Sequence, residues 1–242
     1  GLIQDEARMR SAPSVFFVLI LNNHRLIYFP ETPHAPDLGS FKATAQNFLK
    51  RRHKEYITER YDAAKQAGQK ITKKALFQTH PAPALEVIAL TGQDNIETFI
   101  RRYNGLKKID FRLVKPNDDI DAGEILNQVR EFSGKLNSNK TNVTTANSEG
   151  LDVDAAVDAV SSATESGNQE VKLSGVDQDG NTLDGNNTNF QVNTPIETLP
   201  ATKSGLISKL YDAFVHLSES GAIRAPGVEG AAEKIRRVAR LL

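Results

Sequence analysis

The sequence has no cysteine and no apolar run long enough to cross a membrane. Without cysteine, disulfides, cysteine-ligated zinc, iron–sulfur clusters and thiol catalysis are all excluded. The longest apolar run covers residues 15–21, far short of the roughly 20 residues that a spanning helix needs. It follows no positively charged leader typical of a signal peptide. We therefore expect a cytoplasmic protein without a membrane segment.

The chain also lacks a net charge, because 30 Lys and Arg balance 30 Asp and Glu over 242 residues. The charges are unevenly placed. Residues 1–135 carry 21 basic and 16 acidic side chains, residues 136–205 carry 3 and 10, and residues 206–242 carry 6 and 4. An acidic middle between basic flanks predicts either the orientation of a charged partner or attraction between parts of one molecule. The chain begins with glycine, so we expect a trimmed chain or part of a longer protein.

Residues 84–132 are predicted to alternate strand, helix, strand and helix. The apolar, β-branched run at 85–90 predicts a buried strand. An i, i+3, i+4, i+7 apolar pattern starting at Ile96 predicts a helix, and the period-two alternation of residues 109–114 predicts a strand with one wetter face. Asp121 can cap the helix that follows.

Further elements are predicted on both sides of this stretch. Residues 15–29 predict an antiparallel hairpin around Asn22 and Asn23, whose first strand is central and buried. A long helix is expected from Ser40 to about Ala67. The later patterns predict a strand at 141–145, a helix from Asp152, strands at 170–176 and 188–193, and helices at 206–217 and 228–242.

These elements predict an α+β protein with a mixed β-sheet of roughly six or seven strands, an N-terminal hairpin, a long helix packed on the sheet and a C-terminal helical pair. We expect residues 1–200 to form the α+β domain and residues 201–242 to form the helical pair, docked on the same domain. The last helix has an apolar stripe and a polar face with Arg236, Arg237 and Arg240. Docking on its own domain is the first expectation, and docking on a partner helix is the second.

A group of carboxylates follows the predicted strand at 109–114. Asp118, Asp119 and Asp121 could hold Mg²⁺ for phosphodiester cleavage, because the metal stabilises the attacking and leaving oxygens. Such sites use acidic residues from two strands, and Glu86 is the one obvious strand partner. A helix-capping turn is therefore the favoured interpretation, and Asp118, Asp119 and Asp121 stay secondary catalytic candidates.

Asp177, Asp179 and Asn181 alternate as in a calcium-binding loop. The glycine expected at the sixth loop position is Thr182, however, and the glutamate expected at the twelfth is Thr188. A polar hairpin tip is the favoured interpretation. The sequence thus predicts no metal site and no cofactor.

The histidines are scattered, and no Gly-x-Ser-x-Gly elbow is present. His24, which precedes Arg25 beside the predicted hairpin turn, is the histidine most suggestive of a catalytic group. A histidine that stabilises the turn or an edge strand is the favoured alternative.

Short basic clusters suggest a nucleic-acid surface. They are Arg51, Arg52 and Lys54, then Arg101 and Arg102, then Lys107 and Lys108. If they share a face, Tyr56 or Tyr103 could stack on a base beside them. Solvated helix faces explain each cluster alone more simply, and the near-neutral isoelectric point argues against a dedicated nucleic-acid binder.

The stretch FFVLILNNHRLIYFP with the helix after it, within residues 14–54, and the stretch IDFRLVKPNDD at 109–119 resemble an uncharacterised bacterial domain-of-unknown-function family. The resemblance implies a bacterial cytosolic protein from accessory or mobile-element genes such as anti-phage defence. It transfers no activity to any residue.

The sequence therefore predicts first a non-enzymatic protein-interaction or oligomer-forming module that binds a protein partner or itself. The absence of a catalytic constellation, the charge asymmetry and the amphipathic last helix favour this function. The alternative is a nucleic-acid-binding protein or a metal-dependent nuclease that uses the basic clusters and the carboxylates at 118–121.

Overall fold

The structure is a computed structural model, with the backbone alone described at residues 124–127. The described residues are 12–21, 23–114, 124–138, 140–164, 167, 169–223 and 236. They divide into a first unit, with residues 1–17 and 28–87, and a second unit, with residues 18–27 and 88–242. The α+β class is confirmed, because a hairpin, a four-stranded sheet and helices are all present. The division expected after residue 200 stays a prediction.

Three expectations from the sequence fall outside the described residues. They concern the turn residue Asn22, the carboxylates Asp118, Asp119 and Asp121, and the helix at 228–242, of which Arg236 alone is described. The other half of the C-terminal pair is confirmed by a helix that begins at Lys203 and ends at Glu219.

The predicted N-terminal hairpin is confirmed. Strands β1 (Val15–Ile20) and β2 (Arg25–Pro30) form a two-stranded sheet. His24 takes the left-handed conformation with φ 53°, a region in which histidine, like asparagine, is enriched among non-glycine residues. The Asn23 Oδ1 atom accepts a hydrogen bond from the backbone N–H of Arg25 at 3.3 Å.

The expectation that β1 is a central, buried strand is wrong. In the described part of the chain β1 pairs with β2 alone. Leu19 is 52% exposed and Leu21 is 43% exposed. Because β1 is apolar at every position, its sequence predicts a strand that is covered on both faces. Apolar composition, however, does not supply a second neighbouring strand.

Two helices follow the hairpin in the first unit, α1 (Leu38–Gln66) and α2 (Lys73–Thr79). The N-cap of α1 is Asp37 instead of Ser40, and the Asp37 Oδ1 atom accepts a hydrogen bond from the backbone N–H of Ser40 at 2.7 Å. Gly68, with φ 71°, follows the helix in the left-handed conformation. The predicted long helix is therefore confirmed.

The strand predicted at residues 85–90 is wrong, because this segment belongs to no strand and its last residue makes one backbone contact, in which the Leu90 carbonyl accepts from the Val192 N–H at 2.8 Å. The side-chain amide of Gln46 makes two of the backbone hydrogen bonds that a neighbouring strand would otherwise make there. Its Nε2 atom donates to the Pro83 carbonyl at 2.9 Å, and its Oε1 atom accepts from the Leu85 N–H at 2.6 Å. An apolar pattern predicts burial, but a neighbouring side chain can satisfy the backbone in place of a strand.

The second unit contains a four-stranded antiparallel sheet in the order β4-β3-β5-β6. Its strands are β3 (Tyr103–Leu113), β4 (Thr141–Ala146), β5 (Gln169–Asp177) and β6 (Thr182–Asn186). The strands predicted at 109–114, 141–145 and 170–176 are confirmed. The sheet differs from the single mixed sheet expected, because every pairing described in it is antiparallel and the hairpin forms a separate sheet.

The strand predicted at 188–193 is wrong. A 3₁₀-helix occupies Asn187–Phe190, and β6 lies in the polar segment that was predicted to be a hairpin tip. The Asn186 side chain caps the 3₁₀-helix by accepting from the Thr188 N–H at 2.9 Å. Asparagine-rich segments favour such side-chain capping over a ladder.

The remaining helices belong to the second unit: α3 (Gln93–Ile100), α4 (Glu124–Lys135), α5 (Val153–Thr164) and α6 (Lys203–Glu219). The helices α3 and α5 pack on one face of the four-stranded sheet, whereas the long helix expected there, α1, belongs to the first unit. The buried core includes Ile100, Leu106, Val160, Val171 and Leu173.

Candidate functional site

The residues predicted to be catalytic do not come together in the described part of the chain. Asp118, Asp119 and Asp121 lie outside it, and His24 is exposed in the hairpin turn. The neighbouring Arg25 is buried, and its desolvation lowers the pKa of the guanidinium. Arg25 is therefore part of the buried interior and does not project beside His24 into solvent.

The calcium-loop pattern is an ordinary turn. The carboxylate of Asp177 accepts hydrogen bonds from the backbone N–H groups of Asp179 at 3.0 Å and Asn181 at 2.9 Å. Among the described residues, no group of three or more His, Asp or Glu lies close enough to hold a metal ion. The carboxylate oxygens of Asp177 therefore stabilise the hairpin tip between β5 and β6.

Arg101 and Arg102, at the end of α3, are both exposed. Arg101 forms ion pairs with Glu97 at 2.8 Å and Asp154 at 3.0 Å. These hydrogen bonds, with Glu97 first, raise the pKa of Arg101. Arg102 lies over the ring of Phe99 at 5.0 Å. This pair is thus engaged with groups of its own unit.

Lys107 and Lys108 are exposed next to a register irregularity in β3. Lys108 pairs with Asp110 at 2.7 Å. Asp110 also accepts a hydrogen bond from the Thr144 hydroxyl at 2.6 Å. The hydrogen bond from Lys108, followed by that from Thr144, lowers the pKa of Asp110.

The same outer face of the four-stranded sheet carries further matched polar pairs. Arg112 binds Glu170 at 2.6 Å, and the Ser174 hydroxyl donates to Asp184 at 2.6 Å. Partners lie directly across neighbouring strands, which is the arrangement that stabilises a sheet. This face satisfies its charges internally.

In the first unit, two acidic residues near the first basic cluster both form ion pairs with one arginine. Arg52 binds Glu55 at 3.3 Å and Glu59 at 3.0 Å. Its hydrogen bonds to Glu59 and then to Glu55, which accept from the guanidinium, raise the pKa of Arg52. Arg51 has no carboxylate partner among the described residues, and its guanidinium lies 5.0 Å from the centre of the Phe48 ring.

A basic ridge, defined here as Arg51, Lys54, Lys65 and Lys73, runs along α1 and onto the start of α2. Arg51, Lys54 and Lys65 lie on one side of α1, since their spacings of three and eleven residues both return to the same side of a helix. Lys65 and Lys73 place their Nζ atoms 6.0 Å and 5.3 Å from the centre of the Tyr61 ring. Among the described residues, these four cations form no ion pair.

Sequence reasoning identified Arg51 and Lys54 but missed Lys65 and Lys73. The signal for Lys65 is its helical spacing from Lys54. Lys73 comes from a different helix, so its approach to Tyr61 depends on how the chain turns after Gly68. The spacing rule could have found one of the two missed cations.

A second candidate surface lies at the end of β1, where Leu19 and the turn residue Leu21, both in the second unit, are exposed. Phe17, two residues before Leu19 and therefore on the same side of the strand, packs its ring against Phe41 at 5.1 Å. The apolar sequence of β1 was the signal for this surface, although it predicted a buried strand.

A groove of about 580 Å³ lies along α6 in the second unit. Ser208, Asp212 and His216 line it at intervals of four residues. In the described structure none of these three side chains hydrogen-bonds another. The groove therefore does not hold the hydrogen-bonded serine, histidine and aspartate that nucleophilic catalysis needs.

Comparison with known families adds one match. The model of a family described as "Domain of unknown function (DUF4747)" matches residues 3–210. The resemblance to an uncharacterised domain family is thereby confirmed. No curated protein and no solved structure matches the chain. In the part of the chain that the structure describes, every helix is too short or too polar to span a bilayer.

Proposed function

Because the chain belongs to the family Domain of unknown function (DUF4747), which carries no known activity, we propose a function from its own surfaces: a non-enzymatic, oligomer-forming module. In this proposal β1 pairs with β1 of a second copy. The observation that carries it is the exposure of Leu19 on a strand with one described neighbour, continued by the exposed Leu21 in the turn.

The composition of β1 favours pairing with another strand. Exposed edge strands are usually protected by charges, prolines or bulges. The six residues of β1, VFFVLI, contain no charge and no proline. Among the described strands β1 has β2 as its neighbour on one edge and no neighbour on the other, so that edge and the apolar side chains form a template for strand addition.

A second copy is the occupant that the chemistry of β1 fits. A twofold axis brings the same surface of both chains together, so every residue must tolerate its own kind nearby. An uncharged strand meets that condition, because antiparallel pairing places leucine beside leucine and brings no like charges together.

The expected gain is moderate. Burying a whole leucine side chain stabilises by about 1.5–3 kcal/mol, so burying the exposed half of Leu19 in both chains contributes about that much in total. Backbone hydrogen bonds between the strands add to it. Losing the Leu19 contribution should raise the dissociation constant at least about tenfold.

Analytical ultracentrifugation of the wild type and of Leu19→Lys tests the proposal. We expect a mass of two chains for the wild type, and a mass of one chain for Leu19→Lys at the same concentration. The substitution places two ammonium groups at the strand pair, where like charges destabilise.

Leu136→Lys is the matched control, because Leu136 is another exposed leucine of the second unit, at 64% exposure. It should leave the mass of two chains unchanged. A single-chain mass for the wild type at every concentration contradicts the proposal. Equal dissociation by both variants would also contradict it, since it would deny β1 a specific role.

Origin in bacterial accessory or anti-phage defence genes stays a prediction from the resemblance. Metal-dependent cleavage by Asp118, Asp119 and Asp121 also stays a prediction, because these residues lie outside the described part of the chain. An Asp119→Ala variant incubated with nucleic acid and Mg²⁺ tests it, since loss of cleavage relative to the wild type is expected.

A further inference from the structure

The first unit concentrates positive charge in one short segment. Residues 50–74 contain nine Lys and Arg and three Asp and Glu, an excess of six positive charges in 25 residues of a chain that is neutral as a whole. A local excess of this size attracts polyanions even when the whole molecule has no net charge.

Ion pairing sharpens this excess on one side of α1. Two of the three carboxylates, those of Glu55 and Glu59, bind Arg52. Arg52 lies on a different side of the helix from Lys54, because a separation of two residues rotates by about 200°. Glu55 and Asp62 lie on the same side of α1 as Arg51, at spacings of four and eleven residues, but among the described residues neither forms an ion pair with a cation of the ridge. The ridge therefore keeps an excess of positive charge.

The basic ridge has the length of a short stretch of nucleic acid. Arg51 and Lys65 are 14 positions apart, which corresponds to about 21 Å along the helix. A row of cations at this spacing can follow several successive phosphates of an extended strand.

Aromatic rings organise both ends of the ridge. At one end Tyr61 gathers the ammonium groups of Lys65 and Lys73, and the Lys73 Nζ atom also lies 3.5 Å from the Thr58 hydroxyl. At the other end Phe48 is 56% exposed beside the Arg51 guanidinium. A large exposed ring beside a cation offers a base a stacking surface and its phosphate a partner.

We propose that the basic ridge binds single-stranded nucleic acid, with phosphates on Arg51, Lys54, Lys65 and Lys73 and a base stacked on Phe48. This site is independent of the β1 surface. It differs from the clusters predicted from the sequence, because Arg52 is engaged by glutamates and Lys65 and Lys73 are added.

A single strand fits these residues better than a duplex or a membrane. Stacking on Phe48 requires an unstacked base, which a duplex does not offer. A membrane-bound helix would need one continuous apolar face, whereas α1 has a single fully buried residue, Ile57, and cations along its flank.

Fluorescence anisotropy with labelled oligo-dT and oligo-U, measured over a salt series, tests the proposal. The triple variant Lys54→Gln, Lys65→Gln, Lys73→Gln should bind about 100-fold more weakly. It should also reduce the slope of log K against log salt by about 2, because each lost phosphate contact contributes about 0.7.

A charge-matched control shows whether any loss of binding is specific to the basic ridge. The triple variant Lys140→Gln, Lys172→Gln, Lys203→Gln removes the same charge from exposed positions of the second unit. It should bind as the wild type does. Circular dichroism at the helix minima should be unchanged in both triple variants, which separates lost binding from lost folding.

Phe48→Ala distinguishes stacking from simple charge attraction. It should weaken binding about tenfold while leaving the salt slope unchanged, because it removes a stacked base and no cation.

The proposal is overturned if neither oligonucleotide binds at low salt, or if the control triple variant loses as much affinity as the ridge variant. It is also overturned if a DNA duplex, polyglutamate or vesicles with anionic lipid bind as tightly as the single strands. Any of these results would assign the ridge to general attraction of anions or to a different partner.

Discussion

The four-stranded sheet and the β1–β2 hairpin are both antiparallel, but their sides that face away from a core are built differently. On the four-stranded sheet that side carries cross-strand pairs such as Arg112 with Glu170. On β1 it carries exposed leucines. Polar pairs make a sheet complete in water, whereas an uncharged strand with exposed leucines gains free energy from a partner. The comparison separates a sheet whose polar groups are paired from the strand that we propose to bind a second copy.

The largest test applies the same substitution to both sheets. Leu173→Ala in β5 should lower the free energy of unfolding by about 2–5 kcal/mol, because Leu173 is buried at 1% exposure and its loss leaves a cavity. Leu19→Ala should change it by less than about 1 kcal/mol at dilute protein concentration. Urea denaturation measures both. Equal losses would show that β1 belongs to a core and would end the comparison.

A smaller effect is expected where β5 lies very close to its neighbouring strand β3. A Cβ atom on Gly175 would lie 2.2 Å from the Gly105 carbonyl oxygen. Gly175→Ala should therefore destabilise by about 1–3 kcal/mol, because the backbone of β3 must move.

Gly134→Ala is the control for this position, since nothing lies within 4 Å of the added atom in α4. It should be neutral or stabilise by up to about 1 kcal/mol, because alanine favours a helix. Thermal melts followed by circular dichroism compare the variants. If Gly175→Ala left the melting temperature unchanged, β3 and β5 would not be tightly packed at this point.

The smallest effect concerns the outer face of the four-stranded sheet. Hydrogen bonds from Lys108 and then Thr144 lower the pKa of Asp110 below its ordinary 3.8. Its contribution to stability is therefore present above pH 3.8 and is lost as the pH falls through the lower folded value. Asp110→Asn should remove this acid-dependent part, which is less than about 1 kcal/mol because the partly exposed carboxylate is screened by solvent.

Denaturation at neutral and acid pH measures that difference between wild type and variant. Thr144→Val, which removes one of the two donors, should show an intermediate acid dependence. If Asp110→Asn and the wild type lose stability in parallel, the paired outer face contributes nothing, and the contrast with β1 rests on apolar exposure alone.

Local patterns predicted the elements that local patterns control. The period-two alternation of β3, the apolar spacing of α3 and the long helix α1 follow from side-chain periodicity, and all three elements are present. The helical pattern reached too far at one point, because Tyr103, its i+7 position, is the first residue of β3. Periodicity reports which side of an element is buried, so it succeeds wherever burial is continuous.

The missed elements depend on distant residues. The strand β6 has the sequence TLDGN, a composition that favours turns, and it exists because β5 pairs with it. Its Gly185 is required by tertiary packing, since a Cβ atom there would lie 2.2 Å from the Phe99 ring. No local pattern contains that information.

The candidate sites divide in the same way. Arg51 and Lys54 were predicted because a run of basic residues is visible in the sequence. Arg52 belonged to the same run, and its pairing with Glu55 and Glu59 could be suspected from spacings of three and seven residues. Lys73 could not be found this way, because its approach to Tyr61 requires the second helix to fold back.

The amide of Gln46 has a consequence for solubility. Residues 84–90, ALEVIAL, are an apolar segment of the kind that nucleates aggregates when its backbone is free to join another chain. By bonding the Pro83 carbonyl and the Leu85 amide, Gln46 occupies the start of that segment and denies an incoming strand its first hydrogen bonds. In the folded protein, one helix residue thereby takes up backbone groups that another chain would otherwise have to bind.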